Sequence, residues 1–430
     1  MGRHKKPVFQ DFQKFYKLGA DNRGKLCYNI QNVPFCKEVI LLKYWRGYVT
    51  AGILAAITMG LMLIAERFSQ LVDMVYPYVT REFQSILADW SSTVDFTLWQ
   101  VLVVGIILGL MTTIVLMIAL KWNFFEWLGW VLAGASCIWL LHTGVYGLNY
   151  YAGPISDDIR LGSYEFTYED LAEATTYFRD KANELAKEMP RDDEGMLLLD
   201  DFDTMALLAG NGFQNMTYQY SGSVFAGTTL PVKKLSWADY YTSVGITGIH
   251  VALTGEAAVN PQTPAMALPF TICHEMAHRM CISTENDANF AAFMACLANE
   301  SLQFQYSAYY MAYRYCYSAL FSIGEAETAA AAARINQGVN TYLRYDLRTY
   351  DRFFSSHRNE TISDISDAAN DAYIKISGDK DGEASYGKVS VYLVNWYLEE
   401  LVIPFEEDDS NFDPMDKDQV NGILDGNQEE

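Results

Sequence analysis

The sequence predicts a mainly α protein: three N-terminal transmembrane helices followed by a helix-rich extracytoplasmic domain with a small β-strand element. Three observations predict it. Three uncharged apolar runs crowd the stretch before residue 150. Apolar residues at helical spacing dominate the stretch after it, and a single segment, Ile246–Leu253, alternates loosely and gathers β-branched residues. With 430 residues the chain has room for more than one domain.

The apolar runs are Gly47–Ala65, Leu98–Leu120 and Trp127–Leu148. Each is long enough to cross a hydrocarbon core of about 30 Å, which takes roughly 20 helical residues. A long polar segment precedes the first run, so it does not read as a cleavable signal peptide. Residues 1–46 carry most of the nearby base, including Lys5, Lys6, Lys14, Lys17, Lys37 and Lys43, whereas the connection Glu66–Thr97 has only Arg67 and Arg81. That asymmetry places the N-terminus in the cytoplasm and, after three crossings, everything beyond about Tyr150 outside. Trp99, Trp122, Trp127 and Tyr150 stand where interfacial aromatics are expected. The organisation is thus a basic cytoplasmic segment (1–46), a three-span anchor (47–148), an extracytoplasmic domain (151–405) and an acidic tail (406–430), too poor in apolar groups to fold.

A net charge of −22 excludes nucleic acid as a partner, because phosphate binding needs clustered Lys and Arg. The partner implied by the spans is the lipid bilayer. Seven cysteines without a CxxC pair do not form a disulfide framework, although one pair among Cys273, Cys281, Cys296 and Cys316 is open.

In the outer domain, Tyr168–Glu188 has helical spacing and stops before Pro190. Ile246–Leu253 reads as a strand, and Pro261 and Pro264 break the chain after it. Helix resumes from Ala265 to about Ile323 with an interruption near Ile282. Further helices are expected over Glu325–Arg334, Tyr342–His357 and Gly387–Leu401.

The chemistry concentrates in Thr271–Phe290. His274 and His278 are four residues apart, which on a helix puts both imidazoles on one face, where they can share one Zn2+. Glu275, beside the first histidine, is placed to take a proton from water activated by the metal. A third ligand must come from another element. Thr284 and Asp287 form a Thr-x-x-Asp capping pattern that starts a new helix after a short turn. Glu285 then lies in its first turn, facing back towards the histidines. Asp287 is the rival ligand, and Cys273 and Cys281 flank the motif as sulfur donors. Asn289, one turn beyond Glu285, is placed to hydrogen-bond a ligating imidazole.

On these residues the chain resembles a group of bacterial membrane proteins of uncharacterised function, regarded as gluzincin-like zinc metallopeptidases. Their outer domains carry HExAH followed by a Glu-x-Glu-Ala-Asn-Phe segment. The matching residues here are His274-Glu-Met-Ala-His278 and Glu285-Asn-Asp-Ala-Asn-Phe290. The similarity extends through Gly245–Gly248, Gly255-Glu256, Val259-Asn260, Leu268–Thr271, Tyr306-Ser307 and Ser385–Gly387. The resemblance implies His274, His278 and Glu285 as zinc ligands, Glu275 as the catalytic base and Asn289 as the residue behind the ligands. Two departures stand out: a glycine expected shortly after the second histidine is replaced by Arg279-Met-Cys-Ile, and the second acid of the segment is Asp287.

In such sites a strand ahead of the metal helix holds the peptide substrate by strand addition, and Ile246–Leu253 is the candidate. A group that stabilises the oxyanion is sought among His250, Tyr309, Tyr313 and His357. The expected function is a membrane-anchored zinc-dependent hydrolase, a metallopeptidase acting on a peptide or protein segment near the bilayer. The alternative is a non-catalytic zinc-binding module of the membrane or cell envelope.

Overall fold

The computed structural model describes residues 18–20, 26–28, 34–220, 224–357 and 389–402, with side chains from Trp45 onward. The acidic tail, most of the basic N-terminal segment and the Ser385–Gly387 stretch lie outside the described residues. Helix makes up 72% of the structure and strand 4%, which makes the protein mainly α.

The chain forms two compact units, residues 1–59 with 108–140 and residues 60–107 with 141–430. The first holds a short antiparallel ribbon, β1 (Leu18–Ala20) and β2 (Leu26–Tyr28), and parts of three long helices, α1 (Pro34–Arg67), α3 (Leu98–Ala119) and α4 (Phe124–Val145). Here Gly47 of α1 meets the backbone of Gly129 of α4, a small-residue contact of the kind that brings membrane helices together. Trp127 Nε1 donates to Thr113 Oγ1 at 3.1 Å.

Trp45–Arg67, α3 and α4 are each long and apolar enough to cross a membrane, and the most apolar stretch of α3 has no buried residue. A helix that is apolar on every side and uncovered by protein needs lipid around it. The chain is therefore membrane-associated. The third of these helices starts and ends about one turn earlier than its uncharged run, and at its start Asn123 accepts from the amide of Glu126, opening the helix ahead of Trp127.

The second unit begins with an element read from the sequence only as a connection: α2 (Ser69–Ser91), between α1 and α3. It continues with a 3-10 turn (Gly147–Tyr151), α5 (Ile155–Ile159), α6 (Tyr168–Glu188), α7 (Phe202–Gln219) and α8 (Ala238–Ser243). Then come α9 (Leu268–Arg279), α10 (Glu285–Leu297), α11 (Leu302–Ser322), α12 (Ala326–Gln337), α13 (Thr341–His357) and α14 (Val389–Tyr397), which ends in a π turn. The helix break expected near Ile282 separates α9 from α10, and a second break follows Leu297.

Local rules set several boundaries. Thr167 closes a full capping box with Asp170 at the start of α6, and the chain turns extended at Met189, ahead of Pro190. The core lies where α6, α10, α11 and α14 meet. Phe178, Phe293 and Trp396 pack there with ring centroids 5.1–6.1 Å apart. Phe178 and Phe293 are essentially inaccessible to solvent, and each buried phenyl contributes about 1.5–3 kcal/mol.

A three-stranded sheet lies ahead of α9, with β3 (Lys233–Lys234), β5 (Glu256–Val259) and β4 (Gly248–Val251) in that order. β3 runs parallel to β5 and β4 antiparallel to it, so β4 is an edge strand. Buried Glu256 accepts from the amides of Leu98 and Trp99, both at 2.8 Å, and from Lys233 Nζ at 2.7 Å. The carboxylate thus caps the first turn of α3 where the helix dipole favours negative charge, and the ammonium balances it.

Candidate metal centre

The site begins with α9, held at its N-terminal end by α11. The Ser307 hydroxyl accepts from the amide of Phe270 and donates to the carbonyl of Met266. One face of α9 is core: Ile272, Cys273, Met276 and Ala277 are fully buried. The other carries His274 and His278.

The helix ends without the expected glycine. Cys281 takes the left-handed conformation instead, with φ +68°. Its amide bonds to the carbonyl of His278 at 2.9 Å and that of Ile282 to Ala277 at 3.1 Å, the paired bonds of a Schellman turn. A side chain in this region costs about 1–2 kcal/mol, and burial of the thiol helps to offset it. The turn has a chemical result: it presents the Ile282 carbonyl to His278 Nδ1 at 2.9 Å. With the proton held on Nδ1, the Nε2 lone pair of His278 is free to ligate.

Three residues later the chain re-enters helix. Thr284 is the N-cap of α10, its hydroxyl accepting from the Asp287 amide and donating to the Asp287 carboxylate. Asp287 is thereby used in capping, and it also accepts from the amide of Ile155. Glu285, in the first turn, faces α9.

His274, His278 and Glu285 converge on one point. Glu285 lies 3.2 Å from His274 Nε2 and 3.6 Å from His278 Nε2, and the two Nε2 atoms are 3.0 Å apart. All three ligand atoms fall within 4.8 Å of one another. A tetrahedral ion with bonds of about 2.0–2.1 Å holds its ligands about 3.3 Å apart, so the residues fit such an ion. Two nitrogens and a carboxylate oxygen are also the donor set that borderline Zn2+ takes in open sites. Neither Asp287 nor a cysteine belongs to the cluster, and the thiols of Cys273, Cys281, Cys296 and Cys316 are free.

The electrostatics describe a protein that holds protons where an ion would sit. Burial opposes charge on His278, but the hydrogen bond and charge of Glu285 outweigh it and lift the imidazole to about 9. Burial also works against ionised Glu285, yet the two histidines hold it far below the usual carboxylate range. Glu275 differs. Burial raises it, the two histidines counteract only part of the rise, and Glu285 adds to it. Its Oε2 is buried without a hydrogen-bond partner. Behind it stands Gly248 of β4, where a Cβ would lie 2.3 Å from Glu275 Oε1. Edge strand and carboxylate touch because residue 248 has no side chain.

The remaining candidates separate. Asn289 accepts from the Tyr315 hydroxyl at 3.0 Å, and its Nδ2, like His274 Nδ1, is buried without a partner. His250 sits on β4 with its ring 5.0 Å from that of Tyr146. Burial, with His278 and Arg279 nearby, keeps it neutral, and its Nε2 is buried and unpaired. Tyr309 and Tyr313 point elsewhere. Tyr309 packs on Tyr177, Phe178 and Phe293 in the core, and Tyr313 on Tyr317. His357, at the end of α13, is exposed and packs on Phe353. The tyrosine of α11 that reaches the site is Tyr315, and only the pairing of α11 with α10 could have revealed it.

A family model described as a protein of unknown function (DUF3810) matches residues 72–394, from α2 to α14. No curated protein and no solved structure matches the chain.

Proposed function

Starting from the fact that the chain belongs to the DUF3810 family of proteins of unknown function, we propose that it is a membrane-anchored zinc-dependent hydrolase, a metallopeptidase of gluzincin-like design. His274, His278 and Glu285 hold the metal, and Glu275 is the general base. One observation carries the reading: three ligand atoms converge on one point while a second carboxylate beside them, that of Glu275, has a buried oxygen with no partner.

Zinc bound there supplies Lewis acidity, polarising a carbonyl and making water a better acid. The rest is work for the chain's own groups. Glu275 Oε2 has no competing donor and is free to accept a proton from water and pass it to the leaving amine. Its raised pKa brings it nearer the range in which a group can do both. Substrate lies along edge strand β4, adding its backbone to the sheet beside Glu275. Neutral His250 is the candidate donor to the oxyanion. The Ile282 carbonyl keeps the His278 proton on Nδ1 throughout. The basic N-terminal segment supports a cytoplasmic N-terminus and a catalytic domain outside, where peptide segments near the bilayer are the substrates.

The test is cleavage of a mixed peptide library by the zinc-loaded full chain in detergent, with product termini read by mass spectrometry. Wild type should produce cleavages that Glu275→Gln lacks at equal zinc content. Equal cleavage by both proteins would remove Glu275 from the reaction. Absence of cleavage with zinc firmly bound would favour the non-catalytic zinc-binding module.

A further inference from the structure

A helix on the surface of a globular domain normally buries its apolar stripe and shows its polar face to water. α2 does the reverse. Towards the rest of its own unit it buries Thr80, Arg81, Gln84 and Ser91, with Pro77 and Ala88. Most of these polar groups are bonded, Gln84 Oε1 being the exception. Arg81 Nε donates to the carbonyl of Met280 at 3.1 Å, Gln84 Nε2 to that of Ala252 at 3.0 Å, and the Ser91 carbonyl accepts from Lys233.

The outward face carries Val72, Val75, Val79, Phe83, Ile86 and Trp90 at helical spacing, with no charge along the stripe. All but the half-buried Val72 are at least 40% exposed, and Val79 and Ile86 exceed 60%. Glu82 and Asp89 border the stripe along one edge, Glu82 a heptad from Val75. Water is a poor medium for such a face.

What covers it follows from the chain on either side. α2 begins two residues after α1 ends, and six residues separate its end from the start of α3. Two membrane-crossing helices joined in this way place both ends of α2 at the same water–lipid boundary. The last turn of α1 and the first turns of α3 belong to the same compact unit as α2 and expose Leu63, Ile64, Val101 and Leu102. Large aromatics gather at this level. Phe68 and Phe96 flank α2, and both are at least half exposed. Trp237, 59% exposed, follows Ser236, whose carbonyl accepts from Gln100 in the first turn of α3. Amphipathic aromatics are enriched at that depth of a bilayer.

We propose that α2 is an interfacial helix lying in the plane of the membrane, its Val72–Trp90 stripe sunk into the lipid surface on the side of the folded domain. Its inner face grips the end of α9 through Met280 and the β4–β5 turn through Ala252. The bilayer is therefore one helix away from the candidate metal centre, and lipid sets the height at which that centre stands. The proposal rests on burial and connectivity and stands whether or not the histidines bind a metal.

The experiment is depth measurement by spin label. The full chain, with Cys27, Cys36 and Cys137 changed to Ser, is reconstituted into phosphatidylcholine–phosphatidylglycerol vesicles. Single nitroxides are placed by Val75→Cys, Val79→Cys and Ile86→Cys on the stripe and by Asp180→Cys and Asp193→Cys on the surface of the folded domain, all at exposed positions. Labels at 75, 79 and 86 should collide with oxygen severalfold more than with a water-soluble nickel chelate, and labels at 180 and 193 should show the reverse order. Equal nickel accessibility at all five positions would overturn the proposal. So would stripe labels shielded from both reagents, with dipolar broadening between chains, because a second copy would then cover the face.

Discussion

Two clusters of ionisable side chains buried in the second unit are built on opposite principles. In one, Arg191 grips Asp346 with two parallel bonds of 2.8 and 2.7 Å, and the Tyr306 hydroxyl donates to the same carboxylate. One positive and one negative charge cancel, and both carboxylate oxygens are used. In the other, two imidazoles and a carboxylate are aimed at a common point, and Glu275 Oε2 and His274 Nδ1 are left unpaired nearby. Burying charge is costly unless it is paired and hydrogen-bonded. The first cluster carries its own counter-charge, with only Arg191 Nε left unbonded, and fastens Arg191 to α13. On the reading proposed above, the second would be completed by a metal ion.

The comparison can be broken most severely at Gly248. Gly248→Ala would put a methyl group into the Glu275 carboxylate. Catalysis should fall by about 10²-fold, the cost of misplacing a reacting group by roughly an ångström, while metal content, read by mass spectrometry, stays at the wild-type level. Asp346→Ala probes the other cluster. It strands a buried guanidinium and should lower stability by about 3–5 kcal/mol in chemical unfolding, with no change in metal affinity for the protein that remains folded.

pH sharpens the contrast. In the metal-free protein His278 is raised to about 9 and Glu285 is depressed. A raised histidine contributes stability that is fully present below its unfolded pKa near 6.5 and is lost as pH climbs through the folded value. A depressed carboxylate contributes stability above its own unfolded pKa, so the pair is strongest between about pH 5 and 6.5. Thermal unfolding of the metal-free chain should therefore weaken by up to about 3 kcal/mol between pH 6.5 and 9. The zinc-loaded chain should not show this loss, because the ion replaces the proton. At Cys281 the expected effect is small. Cys281→Gly relieves the left-handed backbone but removes a buried thiol, and stability should stay within about 1 kcal/mol of wild type.

Much of the architecture is legible in the sequence because its signals are local. The spans are uncharged over the length a bilayer demands, α6 announces itself by Thr167 and Pro190, and Thr284 caps the helix that carries Glu285. Two of the longer helices were hidden for identifiable reasons. α2 mixes Asp73, Arg81, Glu82 and Asp89 with its apolar residues and turns its polar side inward, so it does not look like a helix packed on a core. α7 carries Gly210 and Gly212, poor helix residues, because a side chain at 212 would strike the Ala295 carbonyl of α10. In the site, the four residues of the motif were readable because a helix turn and a capping signal fix their spacing. Tyr315 and the Ile282 carbonyl were not: one is a tertiary contact from a different helix, and the other depends on a backbone turn made by a cysteine where a glycine was expected.

The central claim is that the cluster in α9 and α10 is a metal centre, and metal content tests it directly. Wild type, Glu275→Gln and Glu285→Ala would be purified as full chains in detergent, washed in low chelator and analysed for zinc by mass spectrometry. About one zinc per chain is predicted for wild type and Glu275→Gln, with clear loss in Glu285→Ala, since three protein ligands hold the ion and Glu275 is not one of them. A wild-type protein that takes up no zinc after reconstitution would contradict the account.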